Sequence, residues 1–565
     1  MDTVIRVREA HGDWLELGHR ELLAEGGEGR VYVRGEHAYK LYHDPARVIP
    51  AGKLRALAAL DHPALICPRS LLLDGRDRPV GYRMARVRDG VPLVRLFAGD
   101  YQSREGLTPA RLLSLCRAMA EVVAAVHGHD CLLVDANELN WLVLAPGHRR
   151  VTVIDVDSFQ TPGYPATAQS PAIHDHGRTG FSRESDWFAL AVLLCQLWVG
   201  VHPYKGQHPD FARHDLAGRM RAGVSLFDPA VRLPPSARNS HAIPEPWAGW
   251  LRAVLERGER LAPPAAASPG AVRTTVLAPL AANETGEVAL EPVGQWNSPI
   301  AAVLSIHGCR VVITAEEIHL ADSRYARPAG AGTVLLPRGA DDPLWADIHG
   351  GELRLTGLRD RRVWSTGITA RQLFTTGGRL YLLARDKLLE VRPHWLGEGW
   401  RALVAGAWPI LPEATVMGEG LLWQTVLAQP RLLIPFRAGA LAQLAVPELR
   451  GYRVLGGCWE AGVAVLVGSR EGRLDRLVLR FDPDHRDYRL DIHEDIDCAS
   501  WNLAVLDTGV AVLGGDVLRV FFREPGRDGG RAVAAGRAAA LTLAADGGQL
   551  LGYRAGELYR LRLSG

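Results

Sequence analysis

At 565 residues the chain is too long for one compact core, so two or more domains are expected. Its 65 Lys and Arg nearly balance 63 Asp and Glu, and a formal charge of +2 argues against a protein that tracks a nucleic-acid backbone. The longest apolar run (188–201) is broken by Gln196 and too short for a bilayer, the first residues carry no signal-like apolar core, and seven cysteines form no CxxC pair, so a cytoplasmic protein with reduced thiols and no membrane contact is expected.

Strand-like and helix-like segments alternate up to about residue 265. The first chemistry-bearing stretch is Glu25-Gly26-Gly27-Glu28-Gly29-Arg30-Val31-Tyr32, set between two strand-like runs, where glycines let backbone N–H groups approach phosphates. On the next strand, His37-Ala38-Tyr39-Lys40-Leu41 puts a small residue two before a lysine. That leaves room for a flat ring while the ammonium reaches outward to phosphates. Only four of the 65 basic residues are Lys (40, 53, 205 and 387), so a lysine here carries weight. Residues 46–60 read as a helix without a single acid.

Residues 112–126 have apolar side chains at helical spacing. They lead into Leu133-Val134-Asp135-Ala136-Asn137-Glu138-Leu139-Asn140 and an apolar strand. An Asp followed five residues later by Asn places a carboxylate and a carboxamide on one side of a loop. The first can orient a hydroxyl and the second can bind a divalent cation. Val151-Thr152-Val153-Ile154-Asp155-Val156-Asp157 follows, a short buried strand delivering an acid able to hold Mg²⁺ against phosphate oxygens. A nearly all-apolar helix (186–199) opens with Asp186, expected to anchor the preceding loop rather than to react. Another helix is expected at 250–257. His174-Asp175-His176 reads as too compact for one tetrahedral metal centre, and His493-Glu494-Asp495-Ile496-Asp497 as a solvated loop.

Residues 261–284, rich in Pro and Ala, read as a linker between units at 1–260 and 285–565. Beyond it the helical signal fades and seven similar runs begin near residues 303, 345, 373, 415, 458, 503 and 541. Each is an apolar run, a glycine turn and alternating strands, at a mean spacing of about 40 residues, the length of a four-stranded propeller blade. Nine of the fifteen Trp lie from Trp296 onward, which suits packing between blades. Nothing in this half forms a catalytic set, so its rims are expected to present surfaces to a protein partner or substrate.

Taken in order, the features of the first half resemble the protein kinase superfamily, over roughly residues 18–260. LLAEGGEGRVYV resembles the glycine-rich loop with Ala24 in place of the first glycine, and HAYK resembles the strand Ala-x-Lys. GYRMARV resembles a gatekeeper (Met84) and hinge (85–87), LVDANELN the catalytic loop, IDVD the Asp-Phe-Gly site, and SDWFALAVLLCQLWVG the large lobe's central helix. The expected fold is therefore an α+β two-lobed kinase-like domain followed by an all-β propeller of about seven blades. The resemblance implies ATP and Mg as cofactors, with Gly26, Gly27, Gly29, Val31, Ala38, Lys40, Met84 and Val87 around the nucleotide. It also implies Asn140 and Asp155 on the metal, Asp135 orienting the acceptor hydroxyl, and transfer of the γ-phosphoryl to Ser or Thr of a protein. VDANELN and IDVDSFQ look most like bacterial kinases that accompany a phosphatase and a von Willebrand factor A-like protein in tellurium-resistance-type clusters, which makes those two classes expected partners.

Four departures bear on activity. Leu133-Val134 replaces His-Arg, so no arginine precedes Asp135 to pair with an activation-loop phosphate. Asn137 stands where a lysine is usual. Asp157 replaces the glycine of Asp-Phe-Gly, either as a supplementary metal ligand or as a solvated turn acid. The helix at 46–60 lacks the glutamate that pairs with the strand lysine, so Asp155 or Asp157 must orient Lys40 or the site is impaired. A pseudokinase, binding nucleotide and signalling through the propeller, is the alternative reading. A small-molecule phosphotransferase and a purely interacting protein stand behind it.

Overall fold

The computed structural model describes residues 4–563 except 11, 146, 213–214, 235–236, 265–287, 338–341, 427–428, 461, 471, 495, 497–501, 507–508, 515–516 and 523–530. The chain divides into two compact units, one built from residues 1–279 together with the short stretches 469–474 and 494–500, and one from the rest of 280–565. Only 261–264 of the expected linker are among the described residues.

The first unit begins with a seven-stranded antiparallel sheet. Its strands are β1 (Ile5–Glu9), β2 (Trp14–Leu17), β3 (Leu22–Glu25), β4 (Gly29–Arg34), β5 (His37–Tyr42), β6 (Ser70–Leu73) and β7 (Pro79–Ala85), in the order β2-β1-β6-β7-β5-β4-β3. Alternation buries Val7, Leu17, Leu22, Tyr32, Tyr39, Leu41 and Leu72 on one face. Two glycines permit close strand approach. A Cβ on Gly29 would stand 2.3 Å from the Leu41 carbonyl oxygen, and one on Gly81 1.9 Å from that of Lys40. Helix α1 (Ala51–Ala58) follows β5, carrying buried Lys53, Leu54 and Leu57.

A second, three-stranded sheet joins β8 (Gly90–Pro92), β9 (Trp141–Leu144) and β10 (Val151–Val153), with β9 central. Around it stand α2 (Leu93–Phe97), α3 (Gly99–Arg104), α4 (Pro109–His127), α5 (Arg183–Val199), α6 (Leu216–Ala222) and α7 (Trp247–Leu255). Thr108 caps α4, its hydroxyl accepting from the Arg111 amide, with Pro109 at the first helical position. Ser182 and Ser185 cap each other at the start of α5, and Gly200 ends it in the left-handed region (φ 86°). Thirteen of the seventeen α5 residues are buried, so this helix is an internal axis rather than a surface helix; α2, α4 and α7 pack against it.

The second unit is all β. After β11 (Val288–Gln295) come seven four-stranded sheets: β12–β15 (300–326), β16–β19 (332–369), β20–β23 (372–409), β24–β27 (415–445), β28–β31 (453–493), β32–β35 (503–534), and β36–β38 (542–563) completed by β11. Each of the seven runs noted in the sequence falls in, or directly abuts, a different sheet. In the last, β11 pairs antiparallel with β38 (Glu557–Leu563), Val288 facing Leu563, so the first strand of the unit completes the sheet of the last three. Apolar clusters bridge successive sheets. Leu344, Leu353 and Leu355 meet Leu380, Leu382 and Trp400, while Ala511 and Leu518 meet Leu543, Leu551's neighbour Leu550, and Leu561. A mostly β chain with this many four-stranded sheets is compatible with a propeller-like second half. Six cysteines are free and all but Cys309 are buried; Cys498 lies outside the described residues.

Candidate functional site

Strand register builds one wall of the site. Val31 faces Lys40 across β4–β5, while Ala38 faces Met84 and Lys40 faces Tyr82 across β5–β7. Because side chains alternate, Val31, Ala38, Lys40, Tyr42, Tyr82 and Met84 share one face of the sheet. Val87 lies just beyond β7, and a Cβ on Gly90 would come within 3.1 Å of Val87 and 3.0 Å of Leu142. Leu142, on β9 two residues past Asn140, is thus an apolar neighbour of this region that sequence reading did not single out.

Lys40 is the centre of the electrostatics. Its ammonium is buried, 2.8 Å from Asp157 Oδ2, 3.4 Å from Asp155 Oδ1 and 4.0 Å from Glu28 Oε2. The Tyr42 hydroxyl donates to the same Asp157 oxygen at 2.5 Å, and the ammonium lies 5.3 Å and 5.9 Å from the centres of the Tyr42 and Tyr82 rings. Burial by itself would lower the Lys40 pKa, but the charges of Asp157 and Asp155 outweigh it and hold the group above its ordinary value. Burial likewise pushes the Tyr42 and Tyr82 phenols up, with Asp157 adding to the effect. For Asp157, burial favours the neutral acid, yet Lys40 and the Tyr42 hydrogen bond keep it ionised, below the usual carboxylate range. Its burial corrects the reading of Asp157 as a solvated turn acid, and its 2.8 Å contact makes it one of the two acids expected to orient Lys40.

The two acids reach Lys40 from one turn. Asp155 follows β10 in the left-handed region (φ 56°), a conformation Asp tolerates, and its side chain is 44% exposed, open to a ligand. The Ser158 amide and hydroxyl both donate to the Asp155 carbonyl, at 3.1 and 2.8 Å, which closes the turn.

The loop at 133–140 is held by three tethers. The buried Asp186 carboxylate accepts from the Leu133 amide (2.9 Å), the Val134 amide (3.0 Å) and His127 Nε2 (2.9 Å). Asn140 Nδ2 donates to the Asp135 carbonyl at 2.8 Å, which leaves Asn140 Oδ1 as its free acceptor among the described residues. The Asn140 carbonyl in turn accepts from the Ile154 amide at 3.0 Å, joining this loop to the residue before Asp155. Val134 has φ 57°, an outlier for a β-branched side chain, enforced by the Asp186 bond to its amide. Burial pushes the Asp135 carboxyl up to about 6, with Asp155 and Glu138 contributing, although Asn137 Nδ2 donates to Oδ1 at 3.3 Å.

The glycines divide. Nothing would meet a Cβ on Gly26 or Gly27, so both lie open. The Gly26 amide, however, donates to the Gly29 carbonyl at 2.9 Å and is engaged within its own hairpin turn. Gly29 is required by its approach to the Leu41 backbone, a packing reason that sequence reading did not see.

Helix α1 supplies no acid. Its buried Lys53 donates to the Pro165 carbonyl at 3.3 Å, and burial pulls its pKa down while Asp157 opposes the shift. Asp175 makes a two-bond pair with Arg260 at 2.7 and 2.9 Å, which takes it out of contention as a metal ligand with its flanking histidines. Among the described residues no three His, Cys, Asp or Glu side chains converge as a metal cage. In the second-half acidic cluster, Asp495 and Asp497 lie outside the described residues. No protein-family model matches this sequence, and no curated protein matches it significantly.

Proposed function

We propose that the first unit is a two-lobed, protein-kinase-like phosphotransferase domain and that the second is a seven-bladed β-propeller that recruits its protein partner or substrate. One observation carries the first half of this reading. The Lys40 ammonium meets the carboxylates of Asp155 and Asp157, standing 3.4 Å from Asp155 although 115 residues separate them, and the backbone of Asn140 is bonded to the residue before Asp155. The propeller half rests on the seven sheets and on the strand exchange between β11 and β38, which leaves no terminal sheet incomplete.

The residues suit Mg-ATP. The half-exposed Asp155 carboxylate and Asn140 Oδ1 are the hard oxygen donors a magnesium ion takes, and bound there it would neutralise phosphate charge. Lys40 would hold the α and β phosphates, with Gly26 and Gly27 covering them and Val31, Ala38, Met84, Val87 and Leu142 enclosing the base. Asp135 orients a Ser or Thr hydroxyl. As the hydroxyl oxygen bonds to the γ-phosphorus, the bond to the ADP oxygen breaks and the hydroxyl proton passes to the carboxylate.

Nucleotide binding without transfer is favoured by a specific contact: Asn137 Nδ2, standing where a lysine is usual, donates to Asp135 Oδ1 at 3.3 Å and so engages one of the two oxygens of the acid proposed to orient the hydroxyl. Purified protein with γ-labelled ATP and Mg²⁺, beside Asp155→Ala and Asp135→Ala, separates the two. Label on the wild type and on neither variant supports transfer. Bound nucleotide with no label, in the presence of candidate protein substrates, supports the scaffold; absence of both binding and label refutes the reading.

A further inference from the structure

We infer that Asp157 is the positioning residue for Lys40, so that one short turn, residues 155–158, sets the ammonium and the Asp155 carboxylate together while α1 supplies no acid to the pairing. Its functional meaning rests on the nucleotide-site reading above; the holding itself does not.

Asp157 is the nearest acid to the ammonium, at 2.8 Å, and the more deeply buried of the two carboxylates of the turn. A second donor, the Tyr42 hydroxyl two residues along β5 from Lys40, fixes the same oxygen, so the carboxylate is clamped by the strand it serves. The turn cannot easily drift. Val156 and Phe159 are each 1% exposed, and the Asp155 carbonyl accepts twice from Ser158. In many two-lobed sites a helix could swing an acid toward or away from such a lysine. Here the ionisable side chains of α1 are Lys53 and Arg55, both like charges, and Lys53 is spent on the Pro165 carbonyl.

Four lysines in the chain make the test clean. In protein labelled with ¹⁵N-lysine, and with the Lys40 signal assigned through Lys40→Arg, hydrogen exchange of the ammonium protons is read without nucleotide. The wild type should exchange slowly, Asp157→Asn at least tenfold faster, and Tyr42→Phe faster by a smaller factor. Tyr42→Phe keeps the charge pair and serves should Asp157→Asn fail to fold. Lys53→Met should leave the Lys40 signal unchanged. Unaltered exchange in both Asp157→Asn and Tyr42→Phe, or an equal acceleration in Lys53→Met, overturns the inference. Mg-ATP affinity is the second arm. Asp157→Asn should weaken it at least tenfold in the wild-type background and not further in Lys40→Met, since a residue acting through Lys40 has nothing left to act on. If the exchange responds as stated but the wild type binds no nucleotide, the holding stands and the nucleotide reading falls. If nucleotide binds and Asp157→Asn changes neither quantity, the reading stands and this inference falls.

Discussion

Replacing Asp186 with Ala should loosen the loop that carries Asp135 without touching any group that meets a ligand. The carboxylate is buried and accepts three hydrogen bonds of 2.9 to 3.0 Å, two from backbone amides and one from His127. Removing it strands three buried donors, each costing about 1–3 kcal/mol when left unpaired. The terms are not additive, and breaking a buried charged group of this kind costs about 3–5 kcal/mol. Against this, Val134 is freed from its left-handed backbone, recovering about 1 kcal/mol of strain. A net loss of about 2–4 kcal/mol corresponds to a fall of about 5–15 °C in the melting temperature of a unit this size. Asp186→Asn keeps one acceptor and should lose about half as much. Because the chain has two units, a single global transition is not the right readout. Amide hydrogen exchange at Leu133 and Val134 reports locally, and Trp187 fluorescence follows its ring, 4.9 Å from that of His127. Protection at both amides unchanged in Asp186→Ala, with melting within a degree of wild type, would refute the anchoring argument.

Four further outcomes are expected. Asp135, with a folded pKa of about 6 against an ordinary 3.8, binds its proton more tightly folded than unfolded; its contribution therefore falls as pH rises from about 4 to about 6, and γ-phosphoryl transfer falls as pH drops below about 6. Carboxyl NMR of the ligand-free protein placing its midpoint at or under 4 defeats this. Gly81→Ala, whose Cβ would meet the Lys40 carbonyl at 1.9 Å, should cost about 1–3 kcal/mol and nucleotide affinity with it, whereas Gly27→Ala should leave stability nearly unchanged by thermal melting. Thr167 and Thr179 are exposed while Ser158, Thr161 and Ser170 are buried, so Thr167→Ala with Thr179→Ala should leave label transfer unaltered; loss of transfer restored by Glu at either site would mean a phosphorylation switch after all. Deleting 288–295 strips β38 of its partner strand and should lower the melting point of the second unit and promote association through the bared edge, measured by light scattering.

How far the sequence anticipates this architecture depends on the range over which each signal acts. The seven β runs were legible because alternation and glycine turns are local, and each hairpin is specified within some twenty residues. Lys40, Asp135, Asn140 and Asp155 were legible for a similar reason: each stands at a strand or loop position whose neighbours announce it. Asp157 was legible only by elimination: with no acid on the helix at 46–60, it or Asp155 had to orient Lys40, but nothing nearby reveals which of the two is closer or that the counter-ion lies 117 residues earlier. Gly29 carries a reason the sequence does not announce, since a glycine demanded by a strand 2.3 Å from its absent Cβ looks the same as one demanded by a phosphate.

Val134 shows the limit most clearly. Local preference places a β-branched residue in extended backbone, and neither neighbour, Leu133 or Asp135, is a glycine or asparagine to mark a left-handed turn. The conformation exists because Asp186, 52 residues on, takes the Val134 amide and the one before it at the same carboxylate. A strained residue beside the proposed hydroxyl-orienting acid is stable only while its distant anchor stays buried and bonded to it. The same logic governs Lys40 and Asp157: what reading the chain locally takes for a missing acid on α1 is a pairing moved to another segment. A vacancy in a familiar pattern is therefore evidence of lost function only after the space around the lone partner has been searched for its replacement.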